Sequence, residues 1–135
     1  GVFKEMIEAA VRGILISDND VKTLVDTRVY VGGKIPQGAT LPLIVITFIS
    51  HNGENHLKGA GNLQWERLQI EAWGKTYSET VNVLKAVDEA LNGNKFSSSD
   101  PVIASCVCQT GGSYVFQDAV NAHALSLDYG FWFKT

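Results

Sequence analysis

Between Trp65 and Trp73 the chain alternates. Leu68, Ile70 and Ala72 are apolar at even positions, Arg67, Gln69 and Glu71 polar at odd ones, with a Trp at either end. This is the period of a strand with one face buried. Gly74 breaks the pattern. Thr76-Tyr77-Ser78-Glu79 then has the spacing of a capping box, in which the hydroxyl takes a free amide of the first turn and the carboxylate reaches back. Tyr77, Val81, Leu84, Val87 and Leu91 follow at helical spacing, and Gly93 supplies a left-handed exit. From Thr76 to Asn92 such a helix is about 25 Å long, at about 1.5 Å per residue. It can cover a small sheet with one apolar stripe. A strand feeding directly into a covering helix dictates a layered fold and offers no obvious catalyst.

The rest of the chain fits around this unit. Its 135 residues suit one domain, spanning 1–135, with a core of useful size. Phe3, Ile7, Ala10, Val11, Ile14 and Leu15 form a stripe on a helix from Val2 to Leu15, where Glu8 and Arg12 can pair across one turn. Ser17-Asp18-Asn19-Asp20 caps a short second helix, Asn19 to Val25, burying Val21, Leu24 and Val25. Arg28 to Val31 is a short strand ended by Gly32-Gly33. After a loop with Pro36, Gly38 and Pro42, the run from Leu43 to Ser50 is apolar on both faces, as in the middle of a sheet. Residues 51–62 are polar and hold Gly53, Gly59 and Gly61, which reads as an extended hairpin loop or arm. After the long helix and a Ser-rich linker come strands at Val102–Gln109, Tyr114–Gln117 and His123–Phe133. The last places His123, Leu125, Leu127, Tyr129, Phe131 and Phe133 on one face. The order α-α-β-β-β-α-β-β-β is an α+β fold: a mostly antiparallel β-sheet with two N-terminal helices and one long helix packed on it.

Charge and composition narrow the function. The net charge is −3, which gives no electrostatic grip on nucleic acid. No apolar run reaches membrane-spanning length. The N-terminal stretch, interrupted by Lys4, Glu5, Glu8 and Arg12, is not a signal peptide. Cys106 and Cys108 share one face of a strand, a poor disulfide geometry, and suit a reducing compartment.

Motifs for chemistry fail on inspection. Gly32-Gly33-Lys34 is followed by Ile35 where a phosphate loop requires Ser or Thr. Gly59-Ala60-Gly61 lacks the third glycine of a dinucleotide fingerprint. Asp18-Asn19-Asp20 has Thr23 where a calcium loop requires Gly. His51, His56, His123, Cys106 and Cys108 match no zinc spacing, and read instead as two solvent-exposed loop histidines and one at a strand start. No Ser lies in a nucleophile elbow, and Glu66 and Glu71 face opposite sides of their strand. The chain therefore reads as a non-enzyme without cofactor or metal. Two surfaces invite partners. One is the face carrying Trp65, Arg67, Gln69, Glu71 and Trp73, since Trp and Arg are enriched at interface centres. The alternative there is indoles folded over the sheet edge beside solvated charges. The other is the aromatic end Phe131, Trp132 and Phe133, either core closure or a docking strand.

This order of elements resembles the tail terminator (tail completion) proteins of long-tailed bacteriophages and related tailed particles. The matching marks are the two N-terminal helices, Arg28-Val29-Tyr30, the Pro36-Gln37-Gly38-Ala39 loop, and Leu41-Pro42 entering an apolar strand. To these add the Gln69-Ile70-Glu71-Ala72-Trp73 strand, Thr76-Tyr77 opening a long helix that ends at Leu91, and the aromatic last strand. The likeness covers nearly the whole chain and departs most at 51–62 and 94–118. It implies a structural virion protein that forms a ring, usually of six subunits, at the head-proximal end of the tail tube. Such a ring ends tube polymerisation and meets the head connector, and DNA passes through its lumen without sequence-specific binding. It also implies residence in the virion tail or neck after assembly in the host cytoplasm, with no membrane. The partners so implied are other copies of the chain, the tube protein and a head-completion protein. The two surfaces above are the candidate patches, and His51, Asn52, Glu54, Asn55, His56 and Lys58 a candidate arm toward lumen or neighbour. A neighbouring neck or head-completion protein is the closer rival, and a small ligand-binding α+β domain the more distant one.

Overall fold

The computed structural model describes residues 7–52, 63–110, 113–118 and 121–134. Three helices and a six-stranded sheet make up this part: α1 (Glu8–Ser17), α2 (Asn19–Val25), β1 (Val29–Val31), β2 (Leu43–Asn52), β3 (Leu63–Gly74), α3 (Tyr77–Leu91), β4 (Val102–Thr110), β5 (Tyr114–Gln117) and β6 (Ala122–Lys134). The strand order is β1-β2-β3-β6-β4, with β5 beside β6. Only β1 and β2 run parallel; every other pair is antiparallel. β4 and β5 share one edge of β6, with β5 opposite 122–125 and β4 opposite 128–134.

All three helices lie on one face. Ile7, Val11 and Leu15 of α1, Val21 and Val25 of α2 and Val83, Val87 and Leu91 of α3 join Ile44, Ile46, Leu68, Ile70, Tyr129, Phe131 and Phe133 in one core. Phe3 and the expected helix start at Val2 lie outside the described residues. The Arg12 side chain reaches the sheet edge, where Nε donates to the Val29 carbonyl at 2.7 Å and Nη2 to that of Thr27 at 3.2 Å. Asp18 caps α2 with one carboxylate oxygen on the amides of Asp20 and Val21.

The start of α3 follows its sequence signal with one difference. Thr76 Oγ1 accepts from the Glu79 amide at 3.0 Å, but Glu79 Oε1 takes the amide of Lys75, one residue before the cap, at 2.8 Å. Gly74 is required here by contact, because a Cβ would stand 2.5 Å from Thr80 Oγ1. Gly93 leaves the helix with φ +78°, as the spacing predicts.

The apolar stripe of α3 is rotated from its predicted setting. Thr80, Val83, Ala86, Val87, Ala90 and Leu91 are buried, Val81 and Leu84 only half so, and Tyr77 is 55% exposed. Of the predicted stripe, Val87 and Leu91 lie on the contact line and Tyr77, Val81 and Leu84 flank it. The small Thr80, Ala86 and Ala90 let the helix backbone approach the sheet.

Candidate functional site and assembly surfaces

β3 exposes its odd residues to the helix-free face. Trp65, Arg67, Gln69, Glu71 and Trp73 are all half-buried there, while Glu66, Leu68, Ile70 and Ala72 are sealed on the other side. Register places Trp132, Gly130, Asp128, Ser126 and Ala124 of β6 directly opposite them. The charges on this face are mutually satisfied. Arg67 donates from Nε and Nη2 to one Asp128 oxygen at 3.0 and 2.7 Å, and Trp73 Nε1 donates to Glu71 Oε1 at 2.7 Å. A Cβ at Gly130 would lie 2.9 Å from Trp65 Nε1 and 2.8 Å from Gln109 Nε2, so a larger residue there would displace both side chains. Trp65 thus lies across β6 beside Trp132, which is 40% exposed. The result is a surface of preorganised aromatic and charged side chains.

At the other end of this face the 35–41 loop arches over Leu43 and Trp73. Together with Gln117 and Ala122 it encloses a largely apolar cavity of about 540 Å³. That cover explains how Leu43, on the face without helices, is still buried.

The aromatic end divides between core and surface. Phe131 and Phe133 are fully buried, so the two are core side chains and only Trp132 remains for a partner. Tyr129, on the same side as the two Phe rings, donates its hydroxyl to Asp88 Oδ1 of α3 at 2.7 Å. Burial first, and then that hydrogen bond, push its phenol well above the usual range.

The first two residues of the expected arm belong to a strand. β2 runs through His51 to Asn52, while Glu54, Asn55, His56 and Lys58 lie outside the described residues. His51 is a core-facing residue rather than an exposed loop histidine. A bulge at Ile49 shifts the register, so that Phe48 faces Leu68 but His51 faces Glu66. The expelled Ile49 is 44% exposed.

Sequence reading missed one surface altogether. β5 lies on β6 with every residue exposed. Tyr114 packs edge-on against Tyr77 of α3, with centroids 5.5 Å apart, and Phe116 lies 4.8 Å from the His123 ring. The Tyr114 hydroxyl and His123 Nδ1 are hydrogen-bonded at 2.7 Å. Exposure of 48% for Tyr114 and 41% for Phe116 leaves an aromatic patch on this sheet edge. The available signal was the Tyr-Val-Phe run in a strand of four residues, too short to bury both faces. Further along the α3–β6 seam, Val81, Leu84, Leu125 and Leu127 line a second apolar groove, rimmed by Lys85, Asp88 and Glu89.

Chemistry of other kinds finds little footing. Among the described residues no three His, Cys, Asp or Glu side chains are grouped to hold a metal ion. Cys106 and Cys108 lie on the core-facing side of β4, and burial raises the Cys106 thiol well above its usual range. No described helix is long and apolar enough to cross a membrane.

The chain has the fold of a chain in a solved structure described as "Virion of native gene transfer agent (GTA) particle". That likeness has a TM-score of 0.70 at 16% identity and covers 96% of this chain and 95% of the other. Curated proteins give no match. The family described as "Tail completion protein gp17" matches over residues 9–133, from α1 to the last strand. The chain belongs to this family of tail completion proteins, structural components of phage-like tailed particles.

Proposed function

We propose that residues 1–135 act as one tail-terminator domain, without catalysis, and assemble into a ring of about six copies at the head-proximal end of the tail tube. The ring ends tube growth on one side and receives the head connector on the other, and DNA passes through its lumen. The match to tail completion proteins across residues 9–133 carries this reading. A net charge of −3 favours a lumen through which DNA slides without being held.

A closed ring of head-to-tail contacts needs two unlike patches on each subunit. The helix-free face supplies one: Trp65, Arg67, Gln69, Glu71, Trp73 and Trp132. The β5 edge, with Tyr77, Tyr114, Phe116 and His123, supplies the other. The support is physical. Arg67 and Trp73 are already held by Asp128 and Glu71, so little side-chain freedom is lost on docking. The β5 patch gathers three of the most exposed large aromatic side chains of the described residues. Asn52, Glu54, Asn55, His56 and Lys58 form the arm toward lumen or neighbour.

The test is to add the purified chain to assembling tail-tube protein and image the products by electron microscopy. The proposal expects tubes of arrested length, each capped at one end by a ring. Tubes of unrestricted length beside a monomeric chain would overturn it.

A further inference from the structure

The least expected charged group in the molecule is Glu66. It stands on the core-facing side of β3 with no solvent exposure. Its Oε2 accepts from the Ile7 amide at 3.1 Å, at the N-terminal cap of α1. Its Oε1 lies 3.2 Å from Nδ1 of His51, whose side chain is 93% buried and leans on the Phe133 ring. His51 Nε2 is buried without a partner among the described residues, as is Gln64 Oε1 two residues before Glu66. One carboxyl group thus ties together α1, β2 and β3 at the end of the sheet where β2 and β3 run toward their connection.

We propose that Glu66, His51 and the Ile7 amide form a proton-sensitive latch that fixes the first turn of α1 to the sheet and weakens as the pH rises. The hydrogen-bond inventory makes it work. With Glu66 protonated, its hydroxyl donates to Nδ1 of an imidazole that carries its hydrogen on Nε2; with Glu66 ionised, the hydrogen of the neutral imidazole is on Nδ1 and donates to Oε1, Nε2 is bare, and the pair has released one proton. The Ile7 N–H is accepted in both states. What changes is the charge enclosed. Ionised, the latch holds an anion in the interior, opposed among the described residues by the α1 N-terminus. Neutral, it holds none.

The charged surroundings favour the neutral form. From α1 the Glu8 carboxylate faces the site and repels a second negative charge. From β2 comes His51, and from β6 only the apolar Phe131 and Phe133. Burial, the largest influence, raises the Glu66 carboxyl above its ordinary value, against the lowering effect of Ile7 and His51. A carboxyl raised on folding adds stability at low pH. That stability is lost as pH climbs through the folded value, because the folded state binds more protons there.

The experiment compares thermal midpoints of wild type and Glu66→Gln from about pH 5 to about pH 8, with hydrogen exchange at the Ile7 amide. Glutamine keeps the acceptor for Ile7 and cannot ionise. The wild-type midpoint should fall relative to that of Glu66→Gln as pH rises, and the Ile7 protection factor should fall with it in the wild type alone. Parallel midpoint profiles, or Ile7 protection equally steady in both proteins, would overturn the latch. Should Glu66→Gln fail to fold, carbon-13 titration of the Glu66 carboxyl in the wild type decides. A change of ionisation that coincides with loss of Ile7 protection supports the latch, and Ile7 protection indifferent to it refutes it.

Discussion

β3 has two faces of nearly equal length and opposite use. On one, Glu66, Leu68, Ile70 and Ala72 are sealed under the helices. On the other, Trp65, Arg67, Gln69, Glu71 and Trp73 keep part of their surface in water although two of them are large indoles. A chain selected only for folding would not leave Trp65 half-covered next to Trp132, at 40% exposure, and Trp73 half-covered at the other end of the strand. The sealed face specifies the fold, and the open one is a surface whose side chains are held in place before any partner arrives.

Substitutions should separate these faces, the core giving the largest effects on stability. Ile70→Ala removes a fully buried side chain from the centre of the core. It should cost about 2–5 kcal/mol in denaturant unfolding. Tyr129→Phe leaves Asp88 without the phenol that donates to it at 2.7 Å. A loss of about 1–3 kcal/mol is expected, and a loss near zero would mean that water replaces the phenol fully. Thr76→Ala deletes the side-chain acceptor of the Glu79 amide. Helix capping of this kind is worth about 0.5–2 kcal/mol, readable as a lower melting temperature. Arg67→Ala should be the mildest. With its side chain 31% exposed, the pair with Asp128 is partly screened by solvent. About 0.2–1 kcal/mol of stability is expected to go. Ring assembly should suffer far more than that figure suggests.

Much of this contrast was readable from the chain, because strand alternation reports directly on which side is buried. The β3 pattern, the Thr76 cap and the Gly93 exit are local signals, each satisfied within a few residues. What escaped depends on pairing. The bulge at Ile49 turns His51 inward, and only its register against Glu66 reveals this. Alternation puts Glu66 on the apolar face of β3, but its partner emerges only when α1 brings the Ile7 amide to it from 59 residues away. On α3 the spacing places Val87 and Leu91 on the buried side, but Tyr77, Val81 and Leu84 lie off the contact line. Close helix–sheet approach favours Thr80, Ala86 and Ala90 instead. Phe131 and Phe133 alternate with Trp132, so one aromatic run divides between core and surface. The β5 patch needs Tyr77 and Tyr114 brought together from different elements before it exists at all.

The most direct measurement takes the double variant Trp65→Ala/Trp132→Ala and compares its melting temperature with its ability to cap tail tubes. If the open face serves assembly, melting moves much less than for Ile70→Ala, while capping is lost and tubes grow to unrestricted length. A double variant that caps tubes as well as the wild type, or that unfolds as readily as Ile70→Ala, would contradict the division of the sheet into a folding face and an assembly face.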